Sequence, residues 1–222
     1  QYAIPIVVRG PGGPAHQLAA QHSQSMEVYF YHVPGLKVVR PSTPRDAKGL
    51  LKSAIRDDNP VIFIESETLY AVKGEVPDDP DFTIPLGQAI VRREGRDVTV
   101  VAYMGMMYRA MEAAEDLDKE GISVEIVDPR TLRPMDTQTI IGSVRKTHRA
   151  VVVEAGAGFA GMGSEIAAFI TEQAFDDLDA PVERVTGANA PMPYARNLEK
   201  LKTPSTDKIV AAVRRACGGK GG

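Results

Sequence analysis

Cysteine is almost missing from this chain. Cys217 is the single one among 222 residues, so no internal disulfide can form, which fits a reducing compartment. Long apolar runs are missing too, and none approaches the ~20 residues of a membrane span. There is no excess of positive charge. Lys and Arg number 26 against 29 Asp and Glu, a formal net charge of −3, which leaves no electrostatic case for nucleic acid. Tryptophan is absent, which excludes nothing. Ser-His-Asp spacing, a P-loop and Cys/His clusters are absent as well. The remaining composition, 43% hydrophobic and 25% charged, is that of an ordinary soluble globular protein. The length suits one large or two small domains.

The richest stretch runs from Arg9 to Ser25. Its three glycines and two prolines mark a loop. A strand-like run, Ile4–Val8, enters it, and a helix-like run, Met26–Tyr31, leaves it. Loops at strand ends of α/β proteins are where ligands usually sit. This one carries His16 and His22 among amides and hydroxyls. The opening reads as a core strand, not as a signal segment. The chain is therefore expected to begin inside a fold, either as a fragment or with its earlier strands on another polypeptide.

Strand and helix then alternate. Leu36–Val39 reads as a strand entered through the Pro34-Gly35 turn. Ser42-Thr43-Pro44 starts a helix, with a hydroxyl N-cap and proline at the first helical position. Ala47, Leu50, Leu51, Ala54 and Ile55 share one helical face. Val61–Ile64 has the continuous apolar character of a buried parallel strand. Residues 73–87, rich in proline and acid, read as a linker. Strands follow at Val98–Ala102, Val124–Val127, Ala150–Val153 and Val182–Val185. Helices are expected over Tyr108–Lys119, Thr137–Lys146 (capped by Asp136), Ser164–Ala174 and Asp207–Ala216. The pattern is α/β, with one unit over 1–72, a second over 88–217 and a disordered tail over 218–222.

Several residues are candidates for chemistry. The His22 imidazole can donate, accept or shuttle a proton at neutral pH; equally, a loop histidine can simply satisfy backbone groups. His16 and His22 could share a metal, but no third ligand is placed nearby. Gly156-Ala157-Gly158-Phe159-Ala160-Gly161 fits G-x-G-x-x-G between a strand and a helix. No acidic residue follows the next strand to hold a ribose, so packing glycines are the competing reading. Arg130 or Arg133, after the Val124–Val127 strand, could grip a carboxylate or phosphate, or pin a turn through Asp128.

These residues resemble a known family. The run from Arg9-Gly10-Pro11 to Ala20-Gln21-His22-Ser23-Gln24 is similar to the β subunit of the E1 component of 2-oxoacid dehydrogenase complexes. So are Pro34–Val39, Asp46–Leu51, Ala54–Pro60 and Asp128–Asp136. Arg184–Ala195 looks most like the pyruvate dehydrogenase branch. The resemblance implies the later part of a thiamine-diphosphate pyrimidine-binding domain followed by a transketolase C-terminal-type domain. It implies an α2β2 tetramer with a second β subunit, and thiamine diphosphate with magnesium between α and β. It also implies docking to the E2 subunit-binding and lipoyl domains, in a bacterial cytoplasm or a mitochondrial matrix. The reaction would be decarboxylation of pyruvate and reductive acetylation of a lipoyl group. His22 would be the family's active-site histidine. A structural potassium ion would sit on Ile6, Ala54, Ile55, Asp57 and Asn59, mostly through carbonyl oxygens. The family's pyrimidine-activating glutamate lies in an earlier segment, and its diphosphate motif lies on α. No cofactor-binding residue is therefore assigned here, and the isolated chain is expected to be inactive. Acetoin or branched-chain 2-oxoacid chemistry, or a non-catalytic docking fragment, are the alternatives.

Overall fold

A computed structural model describes residues 2–218. The expected tail over 218–222 lies outside the described residues apart from Gly218. Three parallel strands open the chain: β1 (Val7–Pro11), β2 (Lys37–Val39) and β3 (Val61–Glu65). Helices α1 (Ala19–His22), α2 (Glu27–Tyr31) and α3 (Pro44–Ile55) lie between them. The sheet runs β1-β3-β2-β7, where β7 (Thr131–Arg133) comes from the second half of the chain and pairs antiparallel with β2. All five residues of β3 are buried, as its continuous apolar run demands.

The opening strand corrects the expectation of a buried one. It begins at Val7, beyond Pro5, which has no N–H to give a ladder. It also stands at the sheet edge, with Ile6 and Val8 each 54% exposed. The cause is geometric: among the described residues, β1 has a partner strand on one side only.

Helix α3 is specified locally. The Thr43 side chain accepts from the Asp46 N–H, and the Asp46 carboxylate accepts from the Thr43 N–H, a reciprocal cap. Leu50 and Ala54 pack on Val39, Val61 and Phe63. The segment expected as a linker carries Phe82, Ile84 and Leu86, which pack against this cluster. Gly49 makes the approach feasible, since a Cβ there would stand 2.5 Å from Ile84. The Ile84 N–H donates to the Gly49 carbonyl at 3.1 Å, and Ser53 Oγ donates to the Ile84 carbonyl at 2.6 Å.

The second half is a five-stranded sheet ordered β4-β6-β5-β8-β9. Its strands are β4 (Ile90–Arg93), β5 (Val98–Ala102), β6 (Val124–Asp128), β8 (Ala150–Ala157) and β9 (Glu183–Gly187). All are parallel except β4, an antiparallel edge. Helices α4 (Gly105–Asp118) and α8 (Thr206–Ala216) cover one face. Helices α5 (Thr137–Thr147) and α6 (Met162–Ala174) cover the other. About four strands were expected, and β4 adds a fifth. It had no apolar signal because two of its four residues are arginines and all four are only half-buried. Strand β7 and helix α7 (Arg196–Lys202) were also unread; both are short, and α7 leaves Leu198 and Leu201 exposed.

The two halves are joined by buried charge. Arg92 on β4 donates to Asp128 Oδ2 at 3.1 and 2.8 Å and also pairs with Asp46 on α3. Asp46 and Asp128 are 1% and 0% exposed. Arg130 adds its own contact to Asp46 at 3.5 Å and donates to the carbonyls of Gln88 and Ala89. Arg133 donates to the Tyr31 carbonyl at 2.8 Å and lies over the Tyr31 ring. Both arginines thus hold protein partners, but neither side chain pairs with Asp128 as the turn-pinning reading expects: Arg92 does, and from the turn itself Asp128 accepts the Arg130 backbone N–H at 3.0 Å. Removing one member of a buried charged set typically costs about 3–5 kcal/mol. Arg92→Met is expected to lower unfolding stability by that order, measured by urea denaturation; an unchanged midpoint would show the network to be dispensable.

Candidate functional site

The site is built by the loop after β1. The Gly12 N–H donates to the Glu65 carbonyl at 2.9 Å and the Gly13 N–H to the Gln24 carbonyl at 2.8 Å, closing the loop at its base. Gly12 has no room for a side chain, since a Cβ would stand 2.7 Å from Ile64. Gln17 and Ala19 hold left-handed backbone with φ of 58° and 56°, a conformation disfavoured for residues with a Cβ. Strain of this kind persists where the surroundings enforce it, often at functional sites. Here the enforcing contacts come from the other half of the chain. The Gln17 N–H donates to Glu199 Oε1 at 3.1 Å, and Gln17 Nε2 donates to the Tyr194 carbonyl at 3.4 Å.

Behind the loop lies a cavity of about 530 Å³ between the two halves, with Ala15, His16, Leu69, Met106, Arg109 and Glu199 among its walls. That size suits a small-molecule site. Charge is buried in its lining: Glu27 and Arg40 form an ion pair, with both side chains under 5% exposed. Arg40 also stands over the Tyr103 ring, 5.5 Å from its centre. The Tyr103 hydroxyl donates to Glu27 at 3.4 Å, and burial together with the Glu27 charge holds that phenol well above its ordinary range. Glu154 on β8 lies close by. Burial pushes its carboxyl up to about 7, against the pull of the Gly163 N–H, which donates to it at 2.9 Å.

His22 does not line this cavity; it is exposed at the C-terminal end of α1. His16 does line it. No group of three or more His, Cys, Asp or Glu positioned for a metal occurs among the described residues, so the two loop histidines gain no third partner. Of the residues expected around potassium, Ile6 lies beside the turn that carries Asp57 and Asn59, and the Ala54 carbonyl accepts from the Asp57 N–H at 3.4 Å. The Ile6 carbonyl accepts from the Val61 N–H at 2.9 Å, and the Ile4 N–H donates to the Asp58 carbonyl at 2.8 Å. The Asp57 carboxylate already pairs with Lys37 and accepts from the Asn59 N–H at 2.9 Å. Burial would raise its titration, but these partners outweigh it and hold Asp57 below the usual carboxylate range.

The glycine-rich turn is accounted for without a nucleotide. A Cβ on Gly161 or Gly163 would stand 2.4 or 2.7 Å from Glu154 Oε1, and one on Gly158 2.7 Å from Thr186 Oγ1. A pyrophosphate belongs at the N-terminus of the helix after such a turn. Here the protein's own carboxylate takes that place. Packing therefore explains these glycines. Glu27, Arg40, Tyr103, Glu154 and Glu199 escaped the sequence reading, because each sits within or beside an apolar or loop segment with no motif of its own. Only the isolated charges next to strands β2 and β8 hinted at them.

Models of two domains cover this chain. The transketolase pyrimidine-binding domain matches residues 1–73, and the transketolase C-terminal domain matches residues 87–209. The chain belongs to the transketolase family. It is 53% identical to the pyruvate dehydrogenase E1 component subunit beta of Rhizobium meliloti, over 98% of this chain and 47% of that protein. It is 51% identical to the mitochondrial subunit beta of Dictyostelium discoideum, over 95% of this chain and 60% of that protein. The chain thus spans about half the length of the curated relatives it matches. A solved split-gene transketolase, an inactive beta4 tetramer, superposes with a TM-score of 0.75 at 24% identity. It covers 97% of this chain and 67% of its own, and the likeness concerns the fold.

Filling the turn beneath α6 should be costly in this transketolase-family chain. Gly161→Ala would press a methyl group on both Glu154 and the Ala157 carbonyl, 2.6 Å away. Overpacking of this kind costs about 1–3 kcal/mol. The expected result is that loss in chemical denaturation, with no saturable quenching of a nicotinamide dinucleotide by the unaltered chain. Saturable quenching that Gly158→Val abolishes would restore the nucleotide reading.

Proposed function

We propose that this chain is E1 β subunit sequence of a pyruvate dehydrogenase. As such it would serve oxidative decarboxylation of pyruvate and acetyl transfer to E2 lipoyl groups, together with an α subunit. One observation carries the reading: about half of the residues are identical, along nearly the whole chain, to subunits of that name from a bacterium and an amoeba. The reading brings with it an α2β2 assembly, docking to E2, and the bacterial cytoplasm or mitochondrial matrix as compartment.

Thiamine diphosphate and its magnesium do not fit on the described residues alone. No cluster of acidic or histidine ligands stands ready for the metal. The reading therefore assigns their binding mainly to the α subunit. What this chain contributes is His22. It sits exposed on a loop whose other end is tethered to the C-terminal half, which suits a group that meets a neighbouring subunit. Its ring can stabilise negative charge or deliver a proton to a departing lipoyl sulfur. Potassium fits at the corner of Ile6, Ala54, Ile55, Asp57 and Asn59 only through carbonyl oxygens. The Ile6 and Ala54 carbonyls each accept a backbone N–H and keep a second lone pair.

Two measurements test the reading. In E1 reconstituted from α subunit and full-length β carrying these residues, His22→Ala should lower lipoyl acetylation at least ~10²-fold, the low end of acid–base contributions. Unchanged turnover would remove His22 from the reaction. Potassium chloride should raise the unfolding temperature above that in sodium chloride of equal ionic strength, since binding to the native state alone stabilises it. Equal temperatures would argue against the cation.

A further inference from the structure

We propose that Glu154 is a positioning residue for the His22 loop, its carboxyl group filling the turn at the start of α6 and transmitting its ionisation to the loop through Ser25 and Glu27. The nearness of Glu154 to Ser25 is read from Gly156. A Cβ on Gly156 would stand 3.2 Å from Ser25 Cβ, 3.4 Å from Ser25 Oγ and 3.5 Å from Glu154 Oε2. Ser25 and the Glu154 carboxylate therefore border the same small space, with no side chain between them at Gly156. Ser25 lies three residues after His22, and the neighbouring Gln24 carbonyl holds the loop base through Gly13. Ser23, also in this segment, is buried, and its hydroxyl has no hydrogen-bond partner among the described residues. The loop thus lies against the β8 turn, with the Ser23 hydroxyl unpartnered among the described residues.

The charged surroundings decide the sign. From α6, the Met162 and Gly163 N–H groups favour the carboxylate; from α2, Glu27 opposes it. Tyr103 stands between Glu27 and Glu154 electrostatically, and Arg40 offsets both at that ring. Arg184 on β9 favours the carboxylate weakly. Lys202 on α7 is half-buried, with Glu154 the charge that supports its ammonium form. The Glu154 carboxyl is pushed up to about 7 by burial, so it is mainly neutral below that pH and ionised above it. Ionisation adds repulsion toward Glu27 at the foot of the loop and attraction toward Lys202 on the opposite side. The loop should therefore shift its equilibrium as pH crosses neutrality.

This inference rests on the preceding section only for the importance of His22; the coupling itself is read without any activity. Hydrogen exchange of the amides over residues 19–27 in the full chain, corrected for intrinsic rates, should show a protection step between about pH 6 and 8. Glu154→Gln should shrink the step at least about threefold and hold protection at its low-pH level. A step of equal size in Glu154→Gln, or no step in the unaltered chain, would overturn the proposal. If Glu154→Gln fails to fold, Ser25→Ala serves instead: the proposal expects at least a twofold smaller step, and an unchanged one counts against it. In reconstituted E1, Glu154→Gln should also flatten the matching limb of the kcat/KM pH profile. Full turnover by His22→Ala would end the enzymatic role of that residue while leaving the exchange result to judge Glu154.

Discussion

The interaction on which the molecule depends is the bridge from Asp46 through Arg92 to Asp128. Each carboxylate is excluded from water, and each belongs to a different half of the chain. An isolated carboxylate at either place would be strongly disfavoured by desolvation. Neither half is therefore electrostatically complete alone. Asp46 also caps α3, so the same carboxylate that orders a helix in the first half receives the guanidinium of the second. Strand β7 adds a backbone ladder to β2 beside it. A joint built from a buried charge set and a shared sheet edge has few alternative registers, because sliding it would strand both acids.

That joint creates the cavity. Once the halves are fixed, the loop after β1 faces α7, and Glu199 can accept from the Gln17 backbone. The left-handed turns at Gln17 and Ala19 are then held by contacts supplied from far along the chain. The Glu27–Arg40 pair lies between the same surfaces. Its burial is tolerable because each ion has the other and Tyr103 supplies a further polar contact. A strained loop, a buried ion pair and a carboxyl displaced toward neutrality thus meet in one place. Such perturbations gather at functional sites more than elsewhere.

Much of the scaffold was legible in the sequence, and for identifiable reasons. Val61–Ile64 and Val98–Ala102 announced buried parallel strands by unbroken apolar runs. Thr43-Pro44 and Asp136 announced helix starts by cap chemistry, and in the structure each cap side chain accepts from the N–H three residues on. What failed was short or shared. Strand β4 carries arginines because one of them, Arg92, is needed at the joint, so its pattern is charged where a strand signal would be apolar. Strand β7 exists only because β2 offers it an edge, a fact no local window contains. The burial of β1 was overestimated for the converse reason: burial depends on a strand standing on each side, and among the described residues β1 has one on one side only.

The site was legible in its loop and not in its floor. Glycine and proline spacing located the histidines, since backbone demands leave local traces. Glu27, Arg40, Tyr103 and Glu154 converge from four separate segments, and convergence leaves none. The G-x-G-x-x-G run shows how the two differ. The motif reports that a backbone must come close to something at a helix start. It does not report what. In a nucleotide fold the something is a phosphate; here it is Glu154, from the strand just before. An internal anion at that place closes the turn to an outside one. It also keeps a titratable carboxyl a single glycine away from the segment that carries His22. The same packing choice therefore removes one function from the motif and ties the turn to the loop after β1.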